Sequence, residues 1–223
     1  MADLIDLSRR RLVRLGSLAT GVLALAGVPA LLASEQDTVR RETADLITDP
    51  FYPQVKPGDT DADLTMIRGR QRRAAGQVVQ LSGRVTNLKG EPLRNTPVEI
   101  WQANTHGRYA HPSDPNTQLA LDPDFQGYAL LRTDKDGGYR FTTIKPGPYP
   151  TARGDMRAPH IHFEILGQTD RKVTQLFFPN DLLNDQDRHL NSVRRPETLI
   201  ANITASSSGS VVMAHWDIVV TTG

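Results

Sequence analysis

The stretch Pro159-His160-Ile161-His162-Phe163-Glu164-Ile165 decides both the fold class and the place where a site should be sought. Its residues alternate between apolar and polar, which is typical of a β-strand with two different faces. The apolar residues point to one face, and His160, His162 and Glu164 point to the other. Two imidazoles two residues apart on a rigid strand can offer two nitrogen ligands to one metal ion. The stretch therefore predicts a β-protein with a metal site on one strand.

Composition limits the chemistry that such a site can use. The chain has 223 residues and no Cys, so thiolate metal sites, disulfides and Cys nucleophiles are excluded. A metal ion must therefore be held by His, Asp, Glu, Tyr or backbone oxygen atoms. The formal net charge of +1 gives no indication of a nucleic-acid partner.

The amino terminus differs from the rest of the chain. The basic run Ser8-Arg9-Arg10-Arg11-Leu12-Val13-Arg14 precedes an apolar, small-residue segment over residues 15–33. This order is typical of an export signal, and the adjacent arginines resemble a twin-arginine signal. A membrane-anchoring helix is the alternative, although Gly and Pro make the segment weakly hydrophobic for a span. We expect residues 1–33 to direct export to the periplasm or the cell exterior, with no stable membrane span after signal removal.

The remainder of the chain divides into an arm and a β-domain. Residues 34–75 are polar and predict an arm or linker, with a short helix over residues 35–46. From Gly76 onward, short strands alternate with turns rich in Gly, Pro and Asp. Strands are predicted at residues 78–85, 98–101, 139–144, 160–166, 173–178 and 211–220. The pattern predicts that residues 76–223 form a mainly antiparallel β-sandwich, with a long loop over residues 102–131 that is either functional or disordered.

Two tyrosines lie in contexts that suit a metal ligand. Tyr109 follows a predicted strand, and Tyr149 lies in Lys145-Pro146-Gly147-Pro148-Tyr149-Pro150, where prolines stiffen the loop. A free phenol has a pKa of about 10, and a trivalent cation can deprotonate it. Two phenolates with two neutral imidazoles would favour Fe(III) over Zn(II) or Fe(II). A Zn(II) or Fe(II) site that pairs the two histidines with Glu164 stays open at this point.

Five segments carry a family likeness: Leu81-Ser82-Gly83-Arg84-Val85, Glu99-Ile100-Trp101-Gln102-Ala103-Asn104, Gly107-Arg108-Tyr109, the Pro-rich segment around Tyr149, and Pro159-His160-Ile161-His162-Phe163. Together they resemble the intradiol ring-cleavage dioxygenases, and within that family the protocatechuate 3,4-dioxygenase beta subunits. The likeness covers residues 76–178, and a weaker similarity is present at residues 215–219. The motifs are specific in combination, and the resemblance implies the β-sandwich of that family with long active-site loops.

The resemblance also implies the residues that do the chemistry. Four side chains would bind a non-haem ferric ion: Tyr109, Tyr149, His160 and His162. Tyr149 would be the axial ligand that is released when substrate binds. Arg157 matches the family's catalytic arginine, and Gln175 matches a polar residue near the oxygen-binding region.

The reaction implied by the resemblance is cleavage of a catecholic ring between its two hydroxyl-bearing carbons. Both atoms of O2 would be inserted to give a cis,cis-muconate-type diacid. A protocatechuate-like substrate is favoured, with Arg108, Arg153 and Lys145 as candidates to bind its carboxylate. The family's protocatechuate enzymes often carry Trp two residues after the axial tyrosine, where this chain has Thr151.

The remaining expectations concern the oligomeric state of the protein and an alternative function. The family often pairs two homologous subunits, so the resemblance implies either a homo-oligomer or a homologous partner subunit. The alternative function is a non-catalytic, secreted β-sandwich module that binds a ligand with the same His and Tyr side chains. The tyrosines discriminate between these hypotheses, because the dioxygenase needs both of them as ligands and a binding module needs no metal.

Overall fold

The structure is a computed structural model that describes residues 40–46, 51–167, 169, 171–205 and 211–221. The predicted export signal, residues 1–33, lies outside the described residues. In the described part of the chain, no helix is long and apolar enough to cross a membrane.

Strands dominate the described part of the chain. They are β1 Val78–Asn87, β2 Pro97–Trp101, β3 Tyr128–Arg132, β4 Gly138–Ile144, β5 Tyr149–Pro150, β6 Met156–Arg157, β7 His160–Leu166, β8 Arg171–Phe177, β9 Asn202–Ala205, β10 Val211–His215 and β11 Ile218–Val220. Two short 3₁₀ helices span Leu190–Ser192 and Pro196–Leu199. The strand predicted over residues 211–220 is divided into β10 and β11.

The strands form two sheets and one small hairpin. In the first sheet, β1 pairs antiparallel with β4 and parallel with β10 and β11, while β10 pairs antiparallel with β9. In the second sheet, β2 pairs antiparallel with β3 and β7, and β7 pairs antiparallel with β8. The predicted, mainly antiparallel β-sandwich is confirmed, although the two parallel pairings of β1 were not predicted.

The apolar face of β7 packs into the core between the two sheets. Ile161 and Phe163 are fully buried there, and the Phe163 ring lies 6.0 Å from that of Phe141 in the first sheet. Burial of one such side chain contributes about 1.5–3 kcal/mol to folding. The other face of β7 is also inaccessible to solvent, because His160 and His162 are 2% and 0% exposed. The strand therefore holds two polar side chains in an enclosed position.

The described part of the arm contains no helix, so the helix predicted over residues 35–46 is wrong for residues 40–46. These residues are extended and bond to the sandwich instead of to each other. The backbone N–H of Thr43 donates to the carbonyl oxygen of Val219 at 3.0 Å. The buried ammonium of Lys172 binds two carboxylates of the arm, both at 2.8 Å. Tertiary partners thus satisfy the groups that a helix would have paired internally.

Candidate metal centre

Strand β7 places both histidines on one face, as the alternation predicted. The ring centroids of His160 and His162 lie 4.8 Å apart with an interplanar angle of 72°. Burial, and then the nearby positive charge of Arg157, lower the pKa of both imidazoles well below the usual value. Both rings are therefore neutral, which is the form that binds a metal ion.

Tyr109 reaches the histidines from the loop that follows β2. Side-chain acceptors shape this loop, because Oδ1 of Asn104 accepts two backbone N–H groups at 2.9 and 3.0 Å. Asp114 accepts the backbone N–H of Tyr109 at 2.8 Å. Such local side-chain to backbone bonds replace regular secondary structure. They place Oη of Tyr109 at 3.0 Å from Nε2 of His162.

Tyr149 arrives on the short hairpin of β5 and β6, in which it pairs with Arg157. The residues before it press against the loop of the first tyrosine. A Cβ atom on Gly107 would lie 2.2 Å from the carbonyl oxygen of Pro148, and the φ of Gly107 is +80°. Glycine is therefore required where the two tyrosine loops touch. This packing places Oη of Tyr149 at 3.3 Å from Nε2 of His160.

Each Tyr-to-His pair of candidate ligand atoms has a separation that suits two ligands of one metal ion. Two atoms that each bind a metal at about 2.1 Å, at right angles, lie about 3.0 Å apart. The two Tyr-to-His distances of 3.0 and 3.3 Å are close to that value. Nδ1 of His160 lies 2.6 Å from the carbonyl oxygen of Ala158, so Nδ1 carries the proton and Nε2 presents its lone pair.

The donor set selects among metal ions. The described residues contain no group of three or more His, Asp or Glu side chains that could hold a metal. Beside the two histidines, the tyrosines are the further candidate ligands. Two phenolate oxygens and two neutral imidazoles form a hard, anionic set, which suits Fe(III).

Glu164 has a different partner. Arg171 donates from Nε and Nη2 to the two carboxylate oxygens of Glu164, at 2.6 and 2.9 Å. This two-point ion pair engages both oxygens of the carboxylate. Glu164 is therefore engaged by Arg171 and does not serve as the third ligand that the Zn(II) or Fe(II) hypothesis requires.

Arg157 lies beside the candidate ligands and is only 3% exposed. Its Nη2 donates to Oε1 of Gln175 at 2.6 Å, and its Nε donates to Asp187 at 3.0 Å. The carboxylate of Asp187 is fully buried and also accepts the backbone N–H of Ala158 at 2.9 Å. A buried guanidinium needs a paired counter-charge of this kind. The structure thus brings the two remaining predicted catalytic residues, Arg157 and Gln175, into one network.

Two residues of this region were missed by the sequence reasoning. Asp187 lies in a polar segment after β8 that no motif or periodicity sets apart. Phe51 lies in the arm, and its ring centroid is 4.7 Å from that of Tyr109 and 6.0 Å from that of Tyr149. Two adjacent aromatic residues in an otherwise polar arm were the signal that could have found it.

Trp101 orients the second histidine. Its ring stacks on that of His162 with a centroid distance of 5.0 Å and an interplanar angle of 10°. Nδ1 of His162 is buried and has no hydrogen-bond partner among the described residues. A hydrogen bond at Nδ1 fixes the His160 ring, whereas stacking on Trp101 and the Nε2 contact with Tyr109 support the His162 ring.

A cavity of about 810 Å³ adjoins the candidate ligands. Tyr149 and Arg157 line it together with Phe51 and Thr151, whereas Tyr109 does not. A small molecule in this cavity would therefore meet Tyr149 before any other candidate ligand. Thr151 contributes a small side chain to the cavity wall.

The three cations predicted for a substrate carboxylate differ in position. Arg153 lines the cavity, but Arg108 and Lys145 do not. Arg108 forms an ion pair with Asp114 at 3.2 Å, and Lys145 forms one with Asp181 at 3.1 Å. Both of these cations are thus occupied elsewhere.

Comparison with known proteins places the chain among dioxygenases. A protein-family model described as "Dioxygenase" (Dioxygenase_C) matches residues 47–222. The protocatechuate 3,4-dioxygenase beta chain of Burkholderia cepacia is 43% identical over 138 residues, which cover 60% of this chain and 58% of that protein. Hydroxyquinol 1,2-dioxygenase of Nocardioides simplex is 34% identical over 128 residues, which cover 51% of this chain and 41% of that protein. The matched segments span about half the length of these relatives.

Solved structures share the fold. The 3-chlorocatechol 1,2-dioxygenase from Rhodococcus opacus 1CP gives a TM-score of 0.64 at 21% identity and covers 80% of this chain and 73% of that chain. The dioxygenase domain of a dioxygenase and carbohydrate-binding protein fusion from Streptomyces sp. SirexAA-E gives a TM-score of 0.63 at 23% identity. It covers 82% of this chain and 100% of that chain.

Proposed function

Because the chain belongs to the intradiol ring-cleavage dioxygenase family, we propose that it cleaves a catecholic ring between its two hydroxyl-bearing carbons. Both atoms of O2 would enter the product, a cis,cis-muconate-type diacid. The observation that carries this proposal is the pairing of Tyr109 with His162 and of Tyr149 with His160, beside a cavity that Tyr149 and the buried Arg157 line.

The cofactor that fits this donor set is non-haem Fe(III). Its ligands would be Tyr109, Tyr149, His160 and His162. When bound, the ferric ion would act as a Lewis acid on the catecholate and prepare it for reaction with O2. Burial keeps the two imidazoles neutral, and the carbonyl of Ala158 directs Nε2 of His160 toward Tyr149.

Tyr149 fits the role of a proton acceptor for the substrate. It lines the cavity, so a catechol hydroxyl that enters there meets its phenol oxygen. A phenolate at this oxygen could take the hydroxyl proton of the substrate. Tyr109 lies away from the cavity wall and would keep its position.

Arg157 fits the role of a fixed cation beside the ring. Asp187 and Gln175 hold its guanidinium in one orientation, and its own burial keeps water away from it. A preorganised charge in such a site stabilises negative charge that develops on the ring during cleavage. The ring of Phe51 packs against both tyrosines, at centroid distances of 4.7 and 6.0 Å.

A protocatechuate-like substrate suits the charge of the cavity wall. Arg153 lines the cavity, whereas Arg188 pairs at 3.1 Å with Asp155, which lines the cavity as well. The guanidinium of Arg153 supports a ring that carries a carboxylate. The similarity to a protocatechuate 3,4-dioxygenase beta chain supports the same substrate class.

Two proposals concern the whole protein. A homologous partner subunit or a homo-oligomer is supported by the similarity to a protein that is named as a beta chain. Light scattering gives the mass of the chain purified alone, and an assay of the same sample gives its activity. A chain that is monomeric and active without any added protein would contradict the proposal. Export directed by residues 1–33 is tested by the amino-terminal sequence of protein recovered outside the cytoplasm.

The test of the reaction is an assay of O2 uptake with product analysis. The purified, iron-containing protein is mixed with protocatechuate, catechol or hydroxyquinol under ¹⁸O2. We expect one O2 consumed per ring and a diacid that carries both labelled atoms, with protocatechuate as the preferred substrate. Binding of the catechols without O2 uptake would contradict the proposal and favour a non-catalytic binding module.

A further inference from the structure

Two adjacent residues of the arm reach both members of one Tyr-to-His pair of the candidate metal centre. The ring of Phe51 packs on that of Tyr109, with the centroids 4.7 Å apart. The ring of Tyr52 meets that of Trp101 edge-on, with the centroids 5.1 Å apart and an interplanar angle of 88°. Trp101 in turn stacks on His162 at 5.0 Å. The arm therefore contacts Tyr109 directly and reaches His162 through one intervening ring.

Strand pairing places most of this stack of rings. Glu99 and Trp101 lie two positions apart on β2, so both side chains point to the same face of the second sheet. Trp101 lies directly opposite His162 on β7, and side chains opposite each other in antiparallel strands are close enough to touch. Tyr52 lies outside the strands, so the register of the sheet does not place its ring.

The indole and the imidazole of the stack lack the hydrogen bonds that would fix them. Nε1 of Trp101 and Nδ1 of His162 are buried, and neither has a hydrogen-bond partner in the part of the chain that the structure describes. A metal-ligating His usually donates its other ring nitrogen to a partner that fixes the ring. His160 has such a partner in the carbonyl of Ala158, at 2.6 Å. The need for support by packing is therefore specific to His162.

The carboxylate of Glu99 tethers the ring of Tyr52 at its outer end. Glu99 is only 5% exposed and accepts the hydroxyl groups of Tyr52 and Tyr128, at 2.7 and 2.9 Å. Lys56 donates to both carboxylate oxygens, at 2.7 and 2.8 Å. Burial opposes ionisation of this group, but the hydrogen bonds outweigh it and lower the pKa of Glu99. The carboxylate is therefore charged, and a charged acceptor forms a strong hydrogen bond with the Tyr52 hydroxyl.

We propose that Tyr52 is a positioning residue of the metal centre. Glu99 tethers its hydroxyl, and its ring acts through Trp101 on that of His162. The tether limits movement of the Tyr52 ring, and that ring limits rotation of the indole. The indole then keeps the imidazole in the orientation that brings Nε2 to Tyr109. This role rests on the proposed function, because it takes His162 as a ligand of the metal ion.

Tyr52→Phe and Tyr128→Phe form a matched pair for the test. Each substitution removes one hydroxyl donor from the same carboxylate. Tyr128 belongs to β3, where it pairs with Trp101 through the backbone, so its ring keeps its place without the hydroxyl. The two variants should therefore lose similar amounts of stability in urea, whereas only Tyr52→Phe should loosen the stack on His162.

The first measurement is the affinity for ferric iron, determined by competition with a chelator. We expect Tyr52→Phe to bind iron about tenfold more weakly than the wild-type protein, since support of a metal-ligating His is lost. Tyr128→Phe should bind it as the wild-type protein does. Tyr52→Leu, which also removes the ring, should bind it more weakly than Tyr52→Phe. Equal affinities of Tyr52→Phe and Tyr128→Phe would overturn the proposal.

The second measurement is made on the metal-free protein. The chain has two Trp residues, Trp101 and Trp216, so labelling with 5-fluorotryptophan gives one ¹⁹F resonance for each. We expect Tyr52→Phe to shift the Trp101 resonance, and Tyr128→Phe to shift it less. The Trp216 resonance should not move in either variant, because its indole packs in the core and donates to the carbonyl oxygen of Thr198 at 2.9 Å.

The two measurements separate this role from the proposed function. If the wild-type protein binds no iron, the metal centre is refuted and the role of Tyr52 with it. Normal iron binding by the wild-type protein, with a Trp101 resonance that Tyr52→Phe does not shift, would refute the role of Tyr52 alone.

Discussion

The histidine half and the tyrosine half of the candidate centre reach one point by different means. His160 and His162 lie on a single strand with neighbours on both sides, so the strand pleat alone sets their spacing. Tyr109 and Tyr149 come from two loops that are 40 positions apart in the sequence and meet through backbone contacts at glycine. Strand ligands are therefore fixed locally, whereas loop ligands depend on contacts made far away in the chain.

This difference predicts different tasks for the two halves. Ligands on a rigid strand retain a metal ion, because they cannot move without breaking sheet hydrogen bonds. A ligand on a two-residue strand beside a cavity can be displaced by substrate at lower cost. Each of the following predictions concerns a variant that disrupts the histidine half, the tyrosine half or the residues that support them.

The largest effect is expected from His162→Ala. The alanine removes one strand ligand, and affinity for iron should fall at least about 100-fold, with complete loss of turnover. Iron content after dialysis, measured by atomic emission, checks this result. His215→Ala is the matched control, because its imidazole is half exposed and pairs with Asp217 away from the site. Full iron content in His162→Ala would place the metal elsewhere.

The next effect concerns the support of Arg157. Asp187→Asn leaves a buried guanidinium without its counter-charge and should lower the free energy of unfolding by about 4 kcal/mol. Turnover should fall as well, whereas the iron content of folded protein should not. Urea denaturation checks the stability. As a control, Asp155→Asn breaks the exposed pair with Arg188 and should cost less than about 1 kcal/mol. Similar costs for the two variants would contradict the assigned role of Asp187.

The contact between the tyrosine loops is tested by Gly107→Ala. A Cβ atom there would lie 2.2 Å from the carbonyl oxygen of Pro148. The free energy of unfolding of the variant should therefore fall by about 3 kcal/mol, and it should bind iron less tightly. Gly154→Ala is the control, because Gly154 also has a positive φ, of +85°, but has nothing within 4 Å of the added Cβ. The free energy of unfolding of this control should fall by about 1 kcal/mol, and its iron content should not change. Equal iron affinity in both variants would show that the loops do not position the tyrosines.

The smallest effect is expected from Tyr149→Phe. Removing the phenol oxygen that faces the cavity should slow turnover about tenfold while most of the iron is retained. Tyr109→Phe should release more iron, since this tyrosine lies away from the cavity and would not exchange with substrate. Stopped-flow absorbance during anaerobic binding of catechol separates the two variants. Identical binding kinetics in both would remove the distinction between a displaced tyrosine and a fixed one.

The histidine half could be predicted from the sequence because its geometry is local. The alternation of β7 fixes which residues share a face, so the positions of His160 and His162 followed directly from the strand period. The sandwich followed from the same pattern, repeated between turns. The two tyrosines were candidates from their sequence context alone, but family likeness was needed to assign them as ligands, since loops have no period that reveals where a side chain points.

The features that sequence reasoning missed depend on distant contacts. Asp187 binds Arg157 across 30 positions of the chain, and Phe51 crosses from the arm to the tyrosines. The helix predicted over residues 35–46 was wrong for residues 40–46, because β11 and Lys172 supply partners that local propensity does not register. The network that supports the site was therefore visible in the structure alone.

The most direct test of the central claim is the visible absorption spectrum of the purified protein, measured with its iron content. The spectrum is recorded before and after protocatechuate is added without O2. A ferric centre with two tyrosinate ligands predicts near-stoichiometric iron and a burgundy charge-transfer band that shifts when the catechol binds. A protein that stays colourless after reconstitution with ferric iron would contradict the account.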